Sequence, residues 1–104
     1  MIYVENRGNE KYFLVNGDLD HDTLQDFNSV VDEALSLRDN TDFVIDLDRT
    51  RFIDSACLGV ISRVNRELSN RGNKVKLINV SGGVASTLYV TSLEKILEIE
   101  KKAK

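Results

Sequence analysis

Phe43-Val44-Ile45-Asp46-Leu47 is an apolar run broken only by Asp46 and bounded by polar residues. A run of that kind suits a central strand covered on both faces. Phe52 and Ile53 continue the same buried track toward Ser55. The period then changes. Cys57, Ile61, Val64 and Leu68 recur at helical spacing, and Leu58 and Val60 widen the stripe. Asn70-Arg71-Gly72 ends this helix, because Gly72 accepts the left-handed conformation that closes many helices. Lys74-Val75-Lys76-Leu77-Ile78-Asn79-Val80 reads as the next strand. Residues 43–80 therefore form a strand–helix–strand unit, with parallel strands and a right-handed crossover.

Toward the N-terminus, Ile2-Tyr3-Val4 and Tyr12-Phe13-Leu14-Val15 are short β-type runs. The turn formers Asn6-Arg7-Gly8-Asn9 between them predict a hairpin. Leu24, Phe27, Val30, Val31, Ala34 and Leu35 then mark a helix from Thr23 to about Leu37, with Asp22 or Thr23 as its cap. Toward the C-terminus, Ser81-Gly82-Gly83 reads as a tight turn before a weak helix over 84–89. Leu93, Ile96, Leu97 and Ile99 fit either a short helix followed by a strand or one helix. The fold class is α/β, one domain over residues 1–104, with a basic tail at about 101–104.

Composition bounds the function. The chain has 104 residues, 41% apolar and 30% charged, with a net charge of −3. That balance argues against nucleic acid, whose binding rests on neutralising phosphates. A single cysteine, Cys57, makes neither an internal disulfide nor a cysteine-rich zinc site, and suits a reducing compartment. The first residues lack the basic-then-apolar pattern of a signal peptide. No apolar run approaches the ~20 residues that span a bilayer. The expectation is a cytoplasmic protein with no membrane contact.

Ser55 carries most of the chemistry. It stands between a strand-like stretch and a helix, where a hydroxyl serves as an N-cap or as a phosphoacceptor. A phosphoryl group there meets the free N–H groups and the positive end of the helix dipole. Asp54 orders that site or is a second turn residue. Asp18, Asp20 and Asp22 alternate in one loop. An EF-hand would need Gly and Glu where Thr23 and Ser29 stand, so capping or a partner-contact edge is the better reading. His21, the only histidine, lacks a nucleophile elbow around Ser55, so a Ser-His-Asp hydrolase is disfavoured. Cys57 reads as a buried small hydrophobe, with a helix-start reactive thiol as the lesser alternative. No glycine-rich nucleotide loop occurs, and no metal or cofactor is expected.

Taken in order, Val15-Asn16-Gly17-Asp18-Leu19-Asp20, Val44-Ile45-Asp46-Leu47, Phe52-Ile53-Asp54-Ser55-Ala56-Cys57-Leu58-Gly59-Val60 and Leu77-Ile78-Asn79-Val80-Ser81 resemble the STAS domain family. The likeness is to its stand-alone anti-sigma-factor antagonists. It implies a mixed sheet opened by a hairpin, with a central parallel unit and helices mainly on one face. It implies a binding protein, not an enzyme. The partner would be an anti-sigma factor that is also a serine kinase of the histidine-kinase-like ATPase type, with a serine phosphatase reversing the modification. Carried over, Ser55 is the phosphorylated residue. Asp18, Leu19, Asp20, Asp54, Ala56, Cys57 and Leu58 join Ser55 at the partner surface. The family usually has Gly at the position of Cys57, and a larger side chain there would alter the first helical turn. The competing readings are a constitutive STAS scaffold subunit without a switch, and a receiver-like domain modified on Asp46 or Asp48.

Overall fold

The computed structural model describes residues 1–103. Five strands form one sheet in the order β1-β2-β3-β4-β5. They are β1 (Ile2–Arg7), β2 (Glu10–Val15), β3 (Asp42–Asp46), β4 (Val75–Val80) and β5 (Glu98–Lys101). β1 and β2 are antiparallel, and every later neighbour pairs in parallel. The helices are α1 (Leu24–Ser36), α2 (Ser55–Ser69) and α3 (Gly82–Val90).

The hairpin turns on Gly8 and Asn9. Gly8 sits at φ 60°, the value that a type II′ turn requires at its first central position. β3 is buried along its apolar run, as a central parallel strand must be. Phe13, Phe43, Ile45 and Leu77 meet Phe27 and Val31 of α1, Ile61 and Val64 of α2, and Val84 and Leu88 of α3 in one core. The Phe13 and Phe43 rings lie 4.8 Å apart, a tilted pair that adds about 1 kcal/mol to simple burial.

Three local expectations change, and one left open is settled. The N-cap of α2 is Asp54, whose side chain accepts the Cys57 N–H at 2.9 Å; Ser55 is the first helical residue. Asp wins the cap because its extended backbone turns the carboxylate back onto the third N–H. Gly82 and Gly83 form the first turn of α3, and Ser81 caps it through the Val84 N–H. A Cβ on Gly83 would lie 3.2 Å from the Arg51 carbonyl oxygen, so close packing, not a turn, favours glycine there. The C-terminal apolar segment resolves into a short 3₁₀ turn (Leu93–Lys95) followed by β5. The basic tail is also shorter than expected. Lys101 ends β5, while Lys102 donates its N–H to Val80 and pairs with Asp48 at 3.1 Å. Lys104 lies outside the described residues.

Gly72, at φ 80°, ends α2 as expected. Its N–H reaches the Ser69 carbonyl while that of Asn73 reaches Leu68, the paired bonds of a Schellman motif. No described helix is long and apolar enough to cross a membrane.

Candidate functional site

Two segments meet beyond the carboxyl ends of β2 and β3. One is the loop after β2, residues 16–23. The other runs from Arg49 to the start of α2. Chain connectivity keeps them more than 30 residues apart, and a set of bonds stitches them together. Leu19 and Ile53 form an isolated parallel bridge that extends the β2–β3 pairing. The Leu19 N–H donates to the Phe52 carbonyl at 3.1 Å, and the Asp54 N–H donates to the Leu19 carbonyl at 3.0 Å. The buried Thr50 hydroxyl donates to the Gly17 carbonyl at 2.8 Å. Gly17 itself sits at φ 120°, a conformation that side chains rarely allow.

Asp18 completes the stitch. One carboxylate oxygen accepts the N–H groups of Arg51 and Phe52, at 2.9 and 3.2 Å. Asp20 acts within its own loop, accepting the N–H groups of Asp22 and Thr23. Thr23 stands at the N-cap position of α1, yet its hydroxyl serves the loop, donating to the Asp18 carbonyl and accepting from the Asp20 N–H. The acidic loop is thus a brace that fixes where α2 begins.

On that brace Ser55 is exposed. Its hydroxyl has no hydrogen-bond partner among the described residues. The N–H groups of Ser55 and Ala56 precede the first intrahelical bond and point out of the helix end. An added phosphoryl group would meet these donors and the helix dipole without displacing an existing contact. Ala56 and Gly59 are exposed beside Ser55 and line a groove between α1 and α2. His21, Leu24, Gln25, Asn28, Val60 and Arg63 line the rest of it. Arg63 spans the two helices, donating to Asn28 at 2.7 Å and pairing with Asp32 at 2.8 Å.

The expected partner surface is partly corrected. Leu19, Cys57 and Leu58 are buried, at 0%, 0% and 3% exposure, because each points into the core from the brace or from the inner stripe of α2. Asp18, Ser55 and Ala56 are exposed, and Asp20 and Asp54 are half-buried. Phe52, expected on the buried track, is 52% exposed beside Ser55. The signal was available: in an extended pair, Phe52 and Ile53 must point to opposite sides, and Ile53 takes the core. Gly59 and the α1 side of the groove were missed. Only the α1–α2 packing brings them together, and no local spacing reports that.

Cys57 packs inward, its sulfur 3.8 Å from the Asp20 carbonyl. Burial, with Asp54 beside it, pushes its thiol up to about 12. It is a protonated core residue at neutral pH, not a reactive thiol, and it does not cover Ser55. No hydrogen bond joins His21 to Ser55 among the described residues, so no triad forms. A receiver-like arrangement is also excluded, because the chain opens with an antiparallel hairpin and Asp46 is engaged by Asn79 and the Asp48 N–H.

A family model described as "Mlab, STAS domain" matches residues 3–98. An anti-sigma F factor antagonist of Paenibacillus polymyxa is 31% identical over 85 residues, which cover 82% of this chain and 73% of that protein. The crystal structure of a putative anti-sigma factor antagonist from Thermotoga maritima superposes with a TM-score of 0.88 at 25% identity, covering 96% of this chain and 86% of that one. The phosphorylated form of the Bacillus cell fate determinant SpoIIAA shares the fold, with a TM-score of 0.74 at 19% identity over 95% of this chain and 90% of that one.

Proposed function

The chain belongs to the STAS domain family, and from that premise we propose that it is an anti-sigma factor antagonist switched by phosphorylation of Ser55. The unmodified protein binds an anti-sigma factor that is also an ATP-dependent serine kinase, and so releases a sigma factor. The phosphorylated protein lets go, and a serine phosphatase restores it. The protein is substrate and competitor in this cycle, not catalyst. ATP as phosphoryl donor places the cycle in the cytoplasm.

The observation that carries this reading is the exposed, unbonded Ser55 hydroxyl on a braced helix start. A rigid mount matters, because the same surface must fit both a binding partner and a kinase active site. Phe52 and Ala56 supply apolar contact near the hydroxyl, and the α1–α2 groove adds a mixed surface with His21, Asn28 and Arg63 beside Leu24. Release requires a weakening on the order of a hundredfold, about 2.8 kcal/mol. Burying an unpaired phosphoserine at an interface costs several kcal/mol, which is enough without a large conformational change.

The test is labelling. Incubated with the cognate kinase and radiolabelled ATP, the wild type should take up close to one phosphoryl group per chain and Ser55→Ala none. Labelling of Ser55→Ala at the wild-type level would move the acceptor to another residue.

A further inference from the structure

β1 is an edge strand, and its free hydrogen-bonding groups can be identified. Met1 and Asn16 exchange two backbone bonds, at 3.2 and 2.8 Å. Antiparallel ladders alternate between pairs that bond each other and pairs that do not. With the β1–β2 register, Tyr3, Glu5 and Arg7 therefore bond β2. The N–H and C=O groups of Ile2, Val4 and Asn6 point outward, with no partner among the described residues. The strand is neither short nor bulged, and Tyr3 and Val4 are about half exposed. Those are the features that invite another strand.

We propose that a second copy of this chain pairs along β1, antiparallel, with Val4 facing Val4 across a two-fold axis. Charge and bond count select that register. A two-fold axis normal to the sheet keeps the helices on one side and sets residues of the same face opposite each other. With Val4 opposite Val4, Ile2 faces Asn6 in both directions. Three outward pairs then exchange two bonds each, about six in all. Tyr3 falls opposite Glu5, and no like-charged side chains oppose; Met1, whose terminal ammonium is held by the Asn16 carbonyl, falls opposite Arg7. Sliding by one step toward Arg7 sets Glu5 against Glu5 and leaves fewer bonds; the opposite slide also loses a pair.

The helix side of the seam matches. Val4 shares a shallow groove with Val30 of α1 and with Leu37 at its C-terminal cap, and Leu37 is 62% exposed. Pairing through β1 sets two such grooves side by side and covers both. The other edge is unsuited. On β5, registers of this kind set Glu98 against Glu98 or Glu100, Glu100 against Glu100, or Lys101 against Lys101. The inference does not depend on Ser55 being a phosphoacceptor.

Cysteine cross-linking reads the register. Val4→Cys places two Cα atoms about 5.5 Å apart, within the range a disulfide spans. Asn6→Cys places them roughly 14 Å apart, four residues out of step. Under mild oxidation the first variant should form covalent dimer and the second should not; buried Cys57 is common to both. Sedimentation supplies the control. The wild type should approach twice the chain mass as concentration rises. Val4→Pro should stay at one chain mass with an unchanged circular dichroism spectrum, since that N–H serves no bond within the chain. A wild type of single-chain mass at millimolar concentration, or cross-linking of Asn6→Cys as fast as Val4→Cys, overturns the proposal.

Discussion

Lys11 is 1% exposed near the start of β2, and its ammonium is held by Asp39 in the loop after α1. The Lys11 ammonium and the Thr41 hydroxyl keep the Asp39 carboxyl below its ordinary value. A carboxylate of depressed pKa stabilises the fold fully above its unfolded pKa, near 3.9, and loses that contribution as pH falls toward the folded value. Asp39→Asn leaves Lys11 buried without its partner. The loss should be about 1–2 kcal/mol at pH 7, below the ~3–5 kcal/mol of a fully enclosed pair because Asp39 is 38% exposed. The gap between wild type and variant should close as pH drops below ~4, since the wild type then loses the same charge. Urea unfolding at pH 7 and pH 3 checks both halves. Asp18 is a second carboxylate whose role the sequence leaves open. Its partners, Arg51 and Phe52, are more than 30 positions away, and no local pattern reports such a contact.

At the scale of elements, α2 matters most. Its apolar stripe was legible because Cys57, Ile61, Val64 and Leu68 repeat at helical spacing, and each is buried. Its start was less legible, because Asp54 and Ser55 are both good caps and only the backbone decides between them. Gly59 lies on the outer side of this helix, and an added Cβ would meet nothing within 4 Å. Gly59→Ala should therefore raise stability by about 0.5–1 kcal/mol, the ordinary gain of alanine over glycine in a helix. The same methyl group enters the groove beside Ser55. If the partner seats there, binding should weaken although the fold is firmer. Thermal unfolding and titration calorimetry on one sample separate the two effects. A variant that is more stable and binds as the wild type does would place the contact outside the groove.

For the whole molecule, the parallel strands over 43–80 and the opening hairpin were readable because each is local: a buried run, a helical stripe, a Gly-containing turn. The C-terminal strand was not. Four residues with alternating acids fit a helix as well as a strand. β5 is placed by its parallel pairing with β4 and by Leu97 and Ile99 packing on the core, with the exposed pairs Lys74–Glu98 and Lys76–Glu100 at 3.3 Å adding little. The site itself is a product of the whole topology. β2 and β3 run in parallel, so the turn after each emerges at one edge, and the stitch of Gly17–Asp20 to Thr50–Asp54 holds the start of α2 with Ser55 exposed. The fold, so arranged, offers one braced surface on which a single added charge has leverage. The most direct test is the affinity of the cognate anti-sigma factor for the wild type and for Ser55→Asp, measured by calorimetry on samples of matched helix content. The account predicts a dissociation constant at least tenfold weaker for Ser55→Asp, and weaker still for the phosphorylated protein. Equal affinity of the unmodified, phosphorylated and Ser55→Asp proteins would contradict it.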